Sequence, residues 1–519
     1  MSKIFAYIKN NGEKVFSSPC ENERYCVLAD GDIENTPYLK KLCAEEVSFE
    51  SEEKLLLCCL MKMNEKNNTE LLFRLADTVS GNASFMFSPA DEKAIYCKSG
   101  ISKLFIGISQ NAVYLSNGLD ALLPCCEKFA VLEYEQTARL AKDKIFIFDS
   151  KHKKIKKPFA PISKLRPENN SIQNSDAAFY PALSARETLF RFVKSGEISF
   201  DYLRLKSGYL SKLNKIILVA GGLEKSTASV CRELFETYCF ITAIALDCEE
   251  LINSKTPIDK NTLIIAISNS GENREVLEAV LKAKKSGAKA LALTNNKYSP
   301  LAMDCDYLIS PKRDIKGYPH PACFVSDYFA LALFSLWLGY KTDVISELFL
   351  GVSIKMAEML PSIIQSATKS SVFYEKAAQT MLNSKEIFIC SSGANYALSA
   401  NGAQTIRETA HNNAVSLSID ELCKTNERLL SFSTVFALIN DKERIYSTAK
   451  KLKEISNKGA NIIVITSESI ALELEGFESV ITYNDSLPIF NPLPCISALN
   501  KIALIAKEKA DENEIDEIA

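Results

Sequence analysis

The chain has 519 residues, 47% hydrophobic and 24% charged, with 61 Lys and Arg against 64 Asp and Glu and a net charge of -3. At roughly 150 residues per domain, that length predicts about three globular units, each able to bury a core. The charge balance argues against a dedicated nucleic-acid binder, which carries a basic face, and the hydrophobic fraction excludes disorder for most of the chain. With 16 Cys and only 3 His, any acid–base chemistry rests on few imidazoles or none.

The cysteines are scattered, many in apolar runs such as LLLCCLM (55–61), where Cys acts as a small hydrophobe. No CxxC meets a second CxxC or an HxxxH, so neither a metal nor a disulfide framework is expected. The opening MSKIFAYIKNNG lacks the shape of a signal peptide, and the apolar run Tyr328 to Tyr340 reads as too short to span a bilayer. A cytoplasmic, reducing environment without membrane contact is the expectation.

Residues 1–150 read as mixed α/β, with strand-like pieces at Ile4–Ile8, Tyr25–Leu28, Ala83–Phe87, Lys103–Ile108 and Lys144–Phe148. Residues 151–178 are basic and then rich in Asn and Ser, which is a linker composition. From 179 onward strands and helices alternate, the pattern of a parallel sheet. The strands are KIILVAG (215–221), TLIIAIS (262–268), KALALTN (289–295), EIFIC (386–390), TVFALIN (434–440) and NIIVIT (461–466). An offset of 172 residues brings Thr262 onto Thr434, Gly287 onto Gly459 and Thr294 onto Thr466. The repeat predicts two doubly wound lobes, 179–350 and 351–519.

In an open α/β sheet, ligands bind beyond the carboxyl ends of strands, at helix N-termini. The loop Ser268-Asn269-Ser270-Gly271-Glu272-Asn273 supplies hydroxyls, amides and a Gly there. It reads either as a phosphate nest or as a polar turn that caps the next helix. Its counterpart in the second copy, Asn440-Asp441-Lys442-Glu443-Arg444, has neither Ser nor Gly, so one of the two loops is equipped. A second Gly-bearing loop, Gly221-Gly222-Leu223-Glu224-Lys225-Ser226, also follows a strand, but it is neither GxGxxG nor a P-loop. Gly221, Gly222 and Ser226 are its candidate ligand contacts; Ser391-Ser392-Gly393-Ala394 is its counterpart.

The string AISNSGENREVLEAVLKAKKSGAKALALTNN, followed by SPLAMDCDYLIS, resembles the sugar-isomerase (SIS) domain. Two such domains behind an N-terminal domain resemble the glutamine–fructose-6-phosphate aminotransferase family. LADGDIEN (28–35), IFIGISQNAVYLSNGLDALLPCCEKFAVLEYEQTARL and KIFIFDS are similar to segments of its glutaminase domain. The resemblance implies two flavodoxin-like SIS lobes behind a truncated α+β glutaminase-like domain of the N-terminal-nucleophile type. It also implies a homodimer, a sugar-phosphate ligand and no cofactor.

Several positions depart from the family pattern. The N-terminal nucleophile Cys of the family falls on Ser2, its glutamine-carboxylate loop has no counterpart within 9–27, and its oxyanion Asn-Gly is Asp30-Gly31. An anionic side chain is the wrong charge beside a developing oxyanion. In the isomerase half the family's acid/base Glu falls on Glu408, where a carboxylate could carry a proton between C1 and C2 of a ketose phosphate. The alternative there is a solvated helix face. The family's Lys in that motif is Thr405, its ring-opening His falls on Lys424, and the hydroxyl pair of its first loop is Gly222-Leu223. Its tail Lys has no matching motif near Lys507 or Lys509, and His320 and His411 read as structural.

The expectation is an aminotransferase or isomerase for a fructose-6-phosphate-like ketose, with Glu408 and Lys424 catalytic. Nitrogen would come from free ammonia or a separate glutaminase. A deaminase or deglycase of aminosugar phosphates, and a non-catalytic sugar-phosphate sensor, are the alternatives.

Overall fold

The structure, a computed structural model, describes residues 4–518 except 44–50, 64, 66, 102, 119–120, 123, 142–143, 162–179, 312–319, 370, 392–395, 441 and 475. The side chains of 320, 321 and 513–518 are likewise not described. Ser2, most of the expected linker, Ser392 to Ala394, Asp441 and the His320 side chain therefore lie outside the described residues. The chain divides into two compact units: Met1–Asn170 with Tyr298–Asp304, and Ser171–Lys297 with Cys305–Ala519.

The first unit holds two antiparallel sheets. The six-stranded sheet runs Ala160–Pro161, Lys128–Leu132, Leu104–Ile108, Ala112–Ser116, Phe5–Lys9, Lys14–Phe16. The seven-stranded sheet runs Lys154–Ile155, Ile145–Phe148, Thr137–Ala141, Ala94–Lys98, Ser84–Pro89, Tyr25–Asp30, Cys20–Glu21. Ile4, Ala6, Leu104, Ile106 and Leu115 from one sheet pack on Leu28, Met86, Ile95 and Leu140 from the other. Helices Thr36–Cys43, Glu52–Lys62 and Asn68–Thr78 cover the outer face of the larger sheet through Leu39, Leu56, Leu72 and Leu75. That sheet is therefore covered on both faces. Ser84–Pro89 is buried at every position, so the period-2 alternation of a half-exposed strand disappears.

Two five-stranded parallel sheets form the second unit. The first runs Thr242–Asp247, Lys215–Ala220, Thr262–Ile267, Lys289–Leu293, Tyr307–Ile309. The second runs Ala414–Ser416, Glu386–Ser391, Ser433–Ile439, Asn461–Ser467, Val480–Tyr483. The strand order is the same in both, so the 172-residue repeat is a repeat of topology. Gly287 and Gly459 take φ of +94° and +93° after equivalent helices, the left-handed position that ends a helix. Both sheets have the flavodoxin-like order, whose switch point lies between the first and third strands in chain order: Lys215–Ala220 and Thr262–Ile267 in the first lobe.

The lobes share one apolar core. Helix His320–Lys341 lies within it, and Phe324, Phe329, Phe334 and Leu336 are each 0–1% exposed. The Phe329 ring meets Phe490 edge-on with centroids 5.7 Å apart, and the Tyr328 hydroxyl donates to the Ile489 carbonyl at 3.0 Å. The apolar run expected to be too short for a bilayer thus belongs to a helix of 22 residues. Ala322–Lys341 is long and apolar enough to cross one, but 94% of its most apolar window is buried inside the unit. An all-round apolar helix is what a core position selects.

Gly339 of this helix packs against the Tyr238 carbonyl, where an added Cβ would lie 2.1 Å from the oxygen. Gly351, inside the exposed face of helix Glu347–Ala367, has nothing within 4 Å of the same position. Gly339→Ala should therefore destabilise the second unit by about 1–3 kcal/mol. Gly351→Ala should stabilise it by about 0.5–1 kcal/mol. Chemical denaturation of the two variants measures both, and equal effects of the same sign would contradict the packing.

Candidate functional site

The switch point of the first lobe gathers five of the residues singled out in the sequence. Strand Thr262–Ile267 ends in Ser268, and the chain turns through Gly271 (φ +68°) into helix Arg274–Lys285. Ser268 is buried at 4% exposure and its Oγ accepts the Gly271 N–H at 3.2 Å. The Ser270 Oγ accepts the Glu272 N–H at 3.2 Å, and Asn273 caps the helix by accepting the Val276 N–H at 3.3 Å. Gly221 closes the facing strand, and a Cβ there would lie 3.2 Å from Asn273 Nδ2. Among the described residues, the backbone N–H groups of Ser270 and Asn273 have no acceptor. Two unpaired N–H groups at a helix N-terminus, beside a hydroxyl and an amide, form an anion-binding arrangement.

Asn269 has a different role from its neighbours. Its carbonyl accepts from Thr294 Oγ1 and the Asn295 N–H, both at 3.1 Å. Its Oδ1 accepts from Asn295, and its Nδ2 donates to Cys323 Sγ at 2.9 Å. Its N–H donates to the Glu224 carboxylate at 3.2 Å. The Asn269 side chain is thus a strut between two strand ends and the long core helix, where the sequence suggested a ligand contact. Glu224 opens helix Glu224–Cys239, and Asp247 and Glu275 are also nearby. Burial first, then these three carboxylates, push the Cys248 thiol up to about 12. Lys225 pairs with Asp247 at 3.1 Å.

The other candidates lie elsewhere. Gly222 is exposed with φ +59°. Ser226 faces the second lobe: its hydroxyl bonds Gln404 Oε1 at 2.7 Å and accepts from Asn401 Nδ2 at 2.9 Å. Asn401 is wholly buried, and its Oδ1 has no hydrogen-bond partner among the described residues. The sequence offered a signal for this bridge, two amides on the buried face of NGAQ (401–404), but read alone it points to no partner. Thr405 is buried and bonds back to the Asn401 carbonyl at 3.0 Å.

Glu408 is exposed on helix Tyr396–Ala410 and makes no hydrogen bond or ion pair among the described residues. Lys424 is exposed at the end of helix Ile419–Lys424, with Asp420 and Glu421 as its charged neighbours. Neither touches the Ser268–Asn273 turn. His411 is exposed just past the Tyr396–Ala410 helix at φ +56°, and Lys509 pairs with Glu375 at 2.9 Å. In the second lobe Asn440, the counterpart of Ser268, is buried and accepts from the Tyr483 hydroxyl at 2.6 Å. In the first unit, Asp30 is 6% exposed and accepts from Asn117 Nδ2 at 2.9 Å. Gly31 follows at φ +124°, where a Cβ would lie 2.6 Å from the Ala83 Cα.

Removing the Ser226 hydroxyl strands Gln404 and Asn401 between the lobes. Ser226→Ala should cost about 1–3 kcal/mol of the second unit's stability. Urea denaturation checks this, and a loss below about 0.5 kcal/mol would mean that the bridge carries nothing.

Comparisons with known proteins agree with this architecture. The model of the SIS domain matches residues 209–320. The chain is 22% identical over 504 residues to "Glutamine--fructose-6-phosphate aminotransferase [isomerizing]" of Clostridium tetani, covering 92% of this chain and 81% of that one. The protein of the same name from Francisella tularensis is 20% identical over 532 residues, covering 97% and 85%. Among solved structures, the C-terminal domain of glucosamine-fructose-6-phosphate aminotransferase from Francisella tularensis superimposes with a TM-score of 0.58 at 18% identity. It covers 64% of this chain and 95% of that one.

Proposed function

We propose that this chain, a SIS-domain relative of the glutamine–fructose-6-phosphate aminotransferases, acts on a sugar phosphate of the fructose-6-phosphate type as an aminotransferase or isomerase. The observation that carries the proposal is the Ser268–Asn273 turn: two unpaired N–H groups at a helix N-terminus, at the switch point of a SIS lobe, within a chain similar to these enzymes over more than nine-tenths of its length. The turn would take the phosphate through the N–H groups of Ser270 and Asn273. Glu408 would move the proton between C1 and C2, and Lys424 would assist ring opening. Both are exposed, so in this reading a neighbouring subunit or a closing movement brings them to the sugar. A homodimer in the cytoplasm fits the proposal.

Nitrogen would enter as free ammonia or from a separate glutaminase. Asp30, a carboxylate beside Gly31, sits where the family places a neutral amide donor, and Ser2 stands for its nucleophilic Cys. A second reading, a sugar-phosphate sensor without turnover, is favoured by the exposure of both Glu408 and Lys424, neither of which hydrogen-bonds to the turn.

Incubation with fructose 6-phosphate tests the proposal. Ammonium should yield glucosamine 6-phosphate and glutamine alone should not. Glu408→Gln should lower kcat by about 100-fold or more, the usual contribution of a positioned proton carrier. Turnover with glutamine alone, or an unaffected Glu408→Gln enzyme, would refute the corresponding part. Hexose-phosphate binding without any product would favour the sensor.

A further inference from the structure

The contact between Glu224 and Asn269 places a carboxylate on a backbone N–H of the turn proposed to receive the phosphate. Glu224 Oε1 accepts that N–H at 3.2 Å from the first turn of its own helix. Side chains of this charge are stabilised at such a position by the same dipoles that attract an external anion. The carboxylate is therefore a substitute anion, bound by the N–H that immediately precedes the unpaired Ser270 N–H of the turn. Its surroundings are acidic: Asp247, Glu275 and Glu224 all act on the Cys248 thiol, and Lys225, the next residue along the chain, is paired with Asp247. The first residue after Ser268 is held in place, because Asn269 is tied to Thr294, Asn295 and Cys323. Glu224 is half-buried, carries no ion pair among the described residues, and hangs from a flexible side chain.

We propose that Glu224 is an internal occupant of the anion site, which a ligand's phosphate must displace, so that this residue sets both the affinity and the charge specificity of the site. The inference rests on the phosphate reading of the turn. Two like charges a few ångströms apart near a protein surface repel strongly. Retaining Glu224 beside a bound dianion therefore disfavours phosphate strongly, while an uncharged sugar escapes the penalty.

Calorimetric titration of the full chain with fructose 6-phosphate, inorganic phosphate and fructose provides the test, in the native protein and in Glu224→Gln, Glu224→Ser and Ser270→Pro. The amide signal of Asn269 is followed by NMR in each. Both Glu224 variants should bind fructose 6-phosphate and inorganic phosphate at least roughly tenfold more tightly, with fructose unchanged. The Asn269 amide should shift in both variants without any ligand. Ser270→Pro, which removes one N–H of the turn, should weaken the same two ligands.

If the native protein binds fructose 6-phosphate, Ser270→Pro weakens it and the Glu224 variants do not change it, the inference fails and the phosphate reading stands. If the Glu224 variants gain inorganic phosphate but no protein turns over hexose phosphate, the inference stands and the enzymatic reading fails. If no variant binds any anion, both fail. An unshifted Asn269 amide in both Glu224 variants overturns the contact itself.

Discussion

The shared core around helix His320–Lys341 is the constraint on which the second unit depends. Neither five-stranded sheet can bury its inner face alone, because each is open at its edges and covered on one side by the same apolar layer. A helix 94% buried over its most apolar stretch lies in that layer, packed on Tyr180–Phe192 and Glu224–Cys239 and also meeting Tyr396–Ala410 and Pro492–Ile518 of the second lobe. Cys323, at the start of the helix, accepts from the Asn269 amide, so the packing core and the candidate site meet at one hydrogen bond.

The two lobes have equal topology and unequal chemistry. At corresponding positions the first has Ser268 in a tight turn around a left-handed Gly271, and the second has Asn440 turned inward onto the Tyr483 hydroxyl. There are thus two switch points, and the unpaired N–H groups of Ser270 and Asn273 lie at the first. The same asymmetry runs through the bridge at Ser226, where the first lobe's helix is held by Gln404 and Asn401 of the second. A residue read as a ligand contact has become part of the joint.

Much of the fold was legible because buried parallel strands are written as short, unbroken apolar runs. KIILVAG, TLIIAIS and NIIVIT each appear within a residue or two of their observed bounds. The strands left unread were short or edge elements such as Ala414–Ser416 and Tyr307–Ile309, whose few residues carry no periodicity. In the first unit, Ala94–Lys98 is buried throughout and so shows no alternation to find. The 22-residue core helix was underestimated because polar Ser326 and Asp327, both buried, interrupt the apolar run. The position of the turn at a strand end was legible from the SNSGEN loop. The occupation of its Asn269 N–H was not, since Glu224 lies 45 residues away and only tertiary structure brings the two together.

The central claim is that the first lobe's turn receives a phosphate in competition with Glu224. A crystal structure of the chain with fructose 6-phosphate at saturating concentration tests it most directly. The account predicts the phosphate on the N–H groups of Ser270 and Asn273, with the Glu224 carboxylate moved off Asn269. A sugar phosphate bound elsewhere, with the turn empty and the Glu224 contact intact, would contradict it.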